Sequence, residues 1–236
     1  KHIVIEFEGT NYIIAQSRNN VINILNDYSS GKYNINFDII LDFSDPQSFL
    51  ELFKHDTYNN YLNAYSITHW DVSNVNNMHG MFVGNSSFNQ DIGNWDVSNV
   101  NVMNYMFYSA TSFNRDIGNW NVSSVNSMHS MFFKAESFNI DISNWNVSNV
   151  NDMAAMFYTA TSFNQDLSGW SVSQFNDKPI TFDYGAINWS EPKPIWGAIL
   201  GCTNSIADNF DSSADTDNGS CLYSGCMNSN ADNFDS

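Results

Sequence analysis

Basic residues are scarce in this 236-residue chain, in which 8 lysines and arginines stand against 25 aspartates and glutamates, for a formal charge of −17. That balance excludes nucleic acid as an expected partner, because neutralising phosphates needs clustered cations, and it excludes direct attachment to an anionic membrane. No apolar run is long enough for a membrane span. Cysteine is nearly missing as well, with Cys202, Cys221 and Cys226 all near the C-terminal end. The five histidines are His2, His55, His69, His79 and His129. His79 and His129 hold equivalent positions, but two strand-like separations put them roughly 10 Å apart, too far to share one zinc. No nucleophile, base and orienting residue recur together, so an enzyme is not expected.

What is present is a period. Trp70, Trp95, Trp120, Trp145 and Trp170 stand 25 residues apart, and each opens a version of one phrase: WDVSNV twice, then WNVSSV, WNVSNV and WSVSQF. The register continues through Met78, Met103, Met128 and Met153, through pairs such as Met81-Phe82 and Met106-Phe107, and through Phe88, Phe113, Phe138 and Phe163. A strict repeat of this length reads as stacked units, each covering the apolar face of its neighbour. Within a unit, Trp95 and Val97 alternate as a short strand should, while Val100, Met103, Met106 and Phe107 suit a tight helical or 3₁₀ arc. The expected fold is a β-rich α/β solenoid, a leucine-rich-repeat-like stack of 25-residue coils with an N-terminal α/β cap and small disulfide-stapled C-terminal modules.

The expected boundaries follow from where the period starts and decays. Residues 1–58 form the N-terminal α/β cap, with strands at 3–7 and 35–41 and helices at 19–28 and 48–54, and the solenoid occupies 59–175. Residues 176–200 hold Pro179, Pro192 and Pro194 with several aromatics and read as a far cap and linker. A different repeat begins at Gly201 as GCTNSIADNFDSSADTDNGSCLYS and restarts at Gly225 as GCMNSNADNFDS, giving a module at 201–224 and the start of a second at 225–236. So short an acidic module cannot build a core, which makes a Cys202–Cys221 disulfide the expected staple and an oxidising, extracellular setting the expected location. The broken second module suggests a piece of a longer protein, and the start at Lys1 is compatible with a removed signal peptide and equally with a fragment.

Three groups of residues are candidates for function. The first is the row Asp71, Asp96, Asn121 and Asn146 with Ser73, Ser98, Ser123 and Ser148, expected to lie on one flat exposed face that could bind protein or glycan, or serve only as a solubilising surface. The second is the ladder Asp91, Asp116, Asp141 and Asp166, for which capping of nearby backbone N–H groups is a cheaper compensation than metal. The third is Asp211, Asp215 and Asp217 beside Asn218-Gly219, a phrase close to oxygen-rich calcium loops but without an EF-hand's final glutamate; the alternative is a plain Asx-turn loop. Glycosylation acceptors of the Asn-x-Ser type occur at Asn85, Asn121, Asn146 and Asn218.

The stretch FNQDIGNWDVSNVNVMNYMF at 88–107 is similar to the repeat of the BspA-like leucine-rich-repeat surface proteins, whose units read close to SFNQDIGNWDVSNVTNMSGMF. The likeness covers roughly 62–175 and departs from the family phrase at Asn76, Asn101, Asn126 and Asn151, where the family has threonine. It implies a surface-attached or secreted protein of adhesive or protein-binding character, and it carries no catalytic residues. Residues 201–223 resemble the GCTxxxAxNFDxxAxxDxGSC modules of secreted bacterial proteins. Together these features lead to the expectation of an extracellular protein, on a cell or particle surface, that binds another protein or a glycan. A structural subunit of a filament, surface layer or virion, contacting copies of itself through cap strands and coil faces, is the alternative.

Overall fold

The computed structural model describes residues 3–7, 10–15, 23–24, 37–41 and 66–222. Near the N-terminus, β1 (Ile3–Phe7), β2 (Thr10–Ala15) and β3 (Phe37–Leu41) form one sheet in the order β1-β2-β3. The first pair is antiparallel, with Ile3 opposite Ile14 and Phe7 opposite Thr10, and the second is parallel, with Asn11 opposite Phe37. β1 and β3 coincide closely with the strands read from sequence, whereas β2 has no counterpart in that reading. The expected helix at 48–54 lies outside the described residues, as does the one at 19–28 apart from Asn23 and Ile24.

From residue 66 onward, each 25-residue unit lies against the next in constant register. Trp95, Val97, Val100, Met103, Met106, Phe107, Ala110, Phe113 and Ile117 are buried, as are their equivalents in neighbouring units. Like packs on like: Phe82, Phe107 and Phe132 follow one another at 5.6 Å between nearly parallel rings, and Trp120 lies 6.5 Å from Trp145. The indole Nε1 groups of Trp95, Trp120, Trp145 and Trp170 each donate at 3.1 Å to the carbonyl of the isoleucine 28 residues earlier, Ile67, Ile92, Ile117 and Ile142. Their one polar atom is therefore satisfied inside the core.

The expected strand at Trp-x-Val is replaced by turns. Trp95 N–H donates to Ile92 and Val100 N–H to Val97, so these i→i+3 bonds consume donors that a ladder would need. Parallel pairing between units is confined to isolated bridges, Asn77↔Val102, Val102↔Ser127 and Ser127↔Asp152, just before the first methionine of each unit.

The arc around the Met-Phe pair is neither α nor 3₁₀. Its N–H groups alternate: Met106 and Tyr108 close i→i+3 turns, while Met103, Tyr105, Phe107 and Ser109 donate to Ser127, His129, Met131 and Phe133 of the following unit. Alternation of this kind needs left-handed residues, supplied by Gly80 and Gly84 in the first described unit and later by Tyr105, Ser109, Ser130, Lys134, Ala155 and Thr159, with φ between 49° and 57°. The left-handed region costs a non-glycine residue on the order of 1–2 kcal/mol, which the surrounding units must offset. Lys134 is exposed, and its side chain makes only a distant approach, 5.6 Å, to the Phe133 ring. Lys134→Gly is therefore expected to raise stability by about 1 kcal/mol, read as a higher urea midpoint at unchanged slope. A lower midpoint would show that the left-handed conformation at residue 134 costs nothing.

Residues 176–190 extend the ladder instead of leaving it. Ala155, Phe157 and Thr159 donate to Ile180, Phe182 and Tyr184, so this stretch is a further unit, offset by 26 residues, without the Met signature. Phe182 and Trp189 are buried in it, and Trp196 packs edge-on against Phe175 and Phe182. The C-terminal module follows, with β4 (Leu200–Gly201) parallel to β5 (Thr216–Asp217) and the expected Cys202–Cys221 disulfide in place, its Cα atoms 4.8 Å apart. A side chain at Gly201 would meet Ala214 and the Asp211 carboxylate at 2.9 Å, so the module closes only over a glycine there.

Candidate functional site

The polar row is built from one local device repeated four times. Asp71, Asp96, Asn121 and Asn146 each accept through Oδ1 from the backbone N–H two residues on, at Ser73, Ser98, Ser123 and Ser148, over 3.0–3.2 Å. In the last two, the serine hydroxyl adds a 2.7 Å bond to the same oxygen. Such Asx turns lock the side chain onto its own backbone and leave its second polar atom facing outward. The Asx members of the row are all exposed. At Asp96 the Ser98 hydroxyl and then its amide hold the carboxyl below its ordinary value of 3.8, so this residue keeps its charge in mildly acidic solution.

The Asp91 ladder uses the same device, with Gly93, Gly118, Ser143 and Ser168 donating at 2.9–3.1 Å to Asp91, Asp116, Asp141 and Asp166. Capping is thus what these carboxylates do. A Cβ at Gly93 or Gly118 would approach the carbonyl of Asp116 or Asp141 to 2.5 Å, which favours glycine at these two rungs. Between the last two rungs, Asp141, Ser143, Gln165, Asp166, Ser168 and Gly169 line a shallow cleft of about 290 Å³.

Side chains also tie unit to unit. Asn99 and Asn149 donate to the carbonyls of Ser73 and Ser123, and Gln174 to those of Val147 and Val150. A second ladder escapes the sequence reading: Asn89, Asn114, Asn139 and Asn164 each accept from the backbone of the next unit, at Asn114, Asn139, Asn164 and Ser190. The recurrent Phe-Asn dipeptide was its signal.

In the module, the three aspartates serve separate turns. Asp211 accepts from the Ser213 amide and hydroxyl, Asp215 from Ile199 N–H and the Thr216 hydroxyl, and Asp217 from Gly219 N–H. Among the described residues, no group of three or more His, Cys, Asp or Glu side chains is placed to hold a metal ion. His79 and His129 are separated by the Tyr105 ring, 5.3 and 5.1 Å from the two imidazoles, and His129 meets Asp152 at 3.3 Å. Of the glycosylation acceptors, Asn121, Asn146 and Asn218 are exposed, whereas Asn85 is fully buried. No helix among the described residues is long and apolar enough to cross a membrane.

Two of the few cations converge on the last unit. Lys178 and Lys193 reach the two oxygens of Asp183 at 2.8 and 2.7 Å. Burial pushes the Asp183 carboxyl up, but the hydrogen bonds and charges of both lysines outweigh it and hold the carboxyl below its ordinary 3.8. A depressed folded value means a contribution to stability that is complete above 3.8 and is lost as pH falls through the lower folded value. The last unit of Asp183→Asn is therefore expected to be weaker than wild type at neutral pH and equal to it in strong acid, measured by hydrogen exchange at Phe182 and Tyr184. Equal protection at neutral pH would remove the ion pairs from the account.

No curated protein and no solved structure gives a significant match to the chain. A family profile described as "Mycoplasma protein of unknown function, DUF285" matches twice, over residues 42–132 and 94–190. The two matches overlap, extend together over more than half of the chain and include every tryptophan of the 25-residue phrase. The chain belongs to this DUF285 family of BspA-like repeats.

Proposed function

We propose that the chain is an extracellular, surface-displayed solenoid of the leucine-rich-repeat kind, which binds protein or glycan through the row of Asp71, Asp96, Asn121 and Asn146 with the neighbouring serines. The observation that supports this reading is the repeated Asx turn, which presents a carboxylate from two units and a side-chain amide from the next two, each with its own backbone bond already made. A face ordered before contact loses little conformational entropy on binding, so many weak hydrogen bonds can sum to useful affinity. The acidic balance of the chain favours neutral or cationic partners over polyanions. The stapled module at 201–222 fits the role of a spacer outside the cell, where the Cys202–Cys221 bond persists.

The test is a screen of the full chain against printed neutral and charged oligosaccharides and a panel of secreted proteins. It is repeated with Ser98→Lys, Ser123→Lys and Ser148→Lys combined. These changes keep the serine amides that hold the Asx turns but cover the row with long cations. Binding to any hit should weaken by roughly tenfold or more, equivalent to about 1.4 kcal/mol. Undiminished binding by the folded triple variant would move the contact surface elsewhere.

A further inference from the structure

Asn218 and Gly219 turn the chain from β5 toward the stapled Cys221, and both are exposed. Gly219 has a φ of 75°, and a Cβ there would meet nothing within 4 Å, so left-handed backbone rather than close packing favours glycine. Its peptide nitrogen is therefore unshielded. The N–H of Gly219 donates to Asp217 Oδ1 at 3.1 Å. Asn218 forms an Asx turn of its own, with Oδ1 accepting from Ser220 N–H at 3.0 Å. Such a turn folds the side-chain carbonyl over the peptide that follows, which here is the amide of Gly219.

Other asparagines of the chain provide a comparison. Asn121 and Asn146 form the same turn, but the next residues are Val122 and Val147, whose branched side chains are buried and crowd the peptide nitrogen. Asn204 forms it with Ile206 N–H at 3.1 Å, and there a serine follows. Asn218-Gly219 is the one Asn-Gly pair in the sequence. It combines the folded carbonyl, a bare following residue and a carboxylate on that residue's N–H.

We propose that Asn218-Gly219 is a self-modifying site, at which the chain converts Asn218 into aspartate and isoaspartate through a cyclic imide. The nitrogen of Gly219 attacks Cγ of Asn218, and its proton passes to the Asp217 carboxylate that already holds it. Ser220 N–H donates to the oxygen on which negative charge develops. The Cγ–Nδ2 bond then breaks, the proton moves from Asp217 to the departing nitrogen, and ammonia leaves. Water adds to either carbonyl of the imide. Opening at one restores the ordinary backbone with an aspartate side chain, and opening at the other routes the backbone through Cβ and Cγ. No electrons are exchanged, and water is the sole co-reactant. Either product adds a carboxylate beside Asp217. Isoaspartate also lengthens the turn that Asn209 braces through Ser220 O at 2.7 Å and Leu222 N–H at 2.6 Å, so it loosens the closure of the module. The site lies outside the repeat stack and is independent of the polar row.

The test is incubation of the oxidised full chain in heavy-oxygen water at neutral pH, with protein made in a host that adds no N-glycan. Peptide mapping with electron-transfer fragmentation separates aspartate from isoaspartate. Heavy oxygen should enter residue 218 in both isomers, and conversion there should outpace that at Asn121, Asn146 and Asn204 by roughly tenfold or more. Asp217→Asn keeps an oxygen to accept the Gly219 N–H but removes the base, and it should slow conversion by roughly tenfold or more. The reduced chain in guanidinium has the same residues without the bonds and should convert more slowly than the native chain. Conversion no faster in the native chain than in the unfolded one would overturn the proposal. So would a wild-type rate in Asp217→Asn with its Cys202–Cys221 bond intact, or aspartate without isoaspartate, which marks direct hydrolysis of the side chain.

Discussion

Trp120→Ala is expected to lower the unfolding free energy by about 4 kcal/mol, in the range for truncating a buried aromatic side chain. Trp120 is 4% exposed, lies parallel to Trp145 at 6.5 Å, touches the Phe107 layer at 6.4 Å and donates its indole N–H to Ile92. Alanine removes the packing of a whole layer and leaves the Ile92 carbonyl without its indole donor. Because each unit is stabilised chiefly by its neighbours, the loss in the middle of the array should divide one cooperative transition into two. The equivalent change at Trp189, in the last unit, should affect only the trailing end. Urea unfolding followed by fluorescence and by hydrogen exchange reads both effects; a single sharp transition in Trp120→Ala with a loss below about 1 kcal/mol would show that the units do not depend on one another.

Asn85→Ala should act in the opposite direction, raising stability by about 2 kcal/mol. Its side chain is completely buried, and neither Oδ1 nor Nδ2 has a hydrogen-bond partner. The equivalent positions in the next three units are Ala110, Ala135 and Ala160, all fully buried. Alanine at 85 would therefore restore the residue that this column accommodates elsewhere and remove two uncompensated polar atoms from the interior. The backbone bonds of the position, Asn85 N–H to Phe82 and Phe88 N–H to Asn85, do not involve the side chain and should persist. Part of the gain is offset by the small void left behind. If Asn85→Ala instead unfolds at lower urea, the amide must be satisfied in solution by water or by a partner, and the column argument fails. The same burial keeps Asn85 out of reach of a glycosylating enzyme in the folded protein, despite its Asn-Ser-Ser sequence.

Much of the core was legible in the sequence because it depends on side-chain size in strict register. Trp, Val, Met and Phe recur at 25-residue intervals, and a stack of identical layers is the arrangement that buries all of them at once. The Asp91 ladder was legible for a related reason, since an aspartate two residues before a small residue is a local capping unit that works without tertiary help. The Cys202–Cys221 bond followed from the size of its module, which is too small to hold itself together by burial.

The backbone was harder to read. Trp-x-Val alternation looks like a strand, yet the donors it would need are spent in i→i+3 turns. Gly80 and Gly84 hint at left-handed conformations in one unit, but Tyr105, Ser109, Lys134 and Thr159 adopt them in later units without any residue-type signal. Those φ signs turn alternate N–H groups of the arc toward the following unit, from Tyr105 to His129 and from Lys134 to Tyr158. The polar row was visible as a pattern, while its Asx bonds became apparent only from the geometry.

By itself, then, the sequence determined the period, the identity of the buried layers, the acidic character of the surface and the pairing of Cys202 with Cys221, because each follows from local chemistry or from size repeated in register. The tertiary structure alone decided which backbone groups are paired between units, that residues 176–190 continue the stack and that Asn85 is sealed in the core. These depend on dihedral signs and on what lies one unit away, and a neighbour 25 residues distant can impose a left-handed turn on a residue whose own preference is against it.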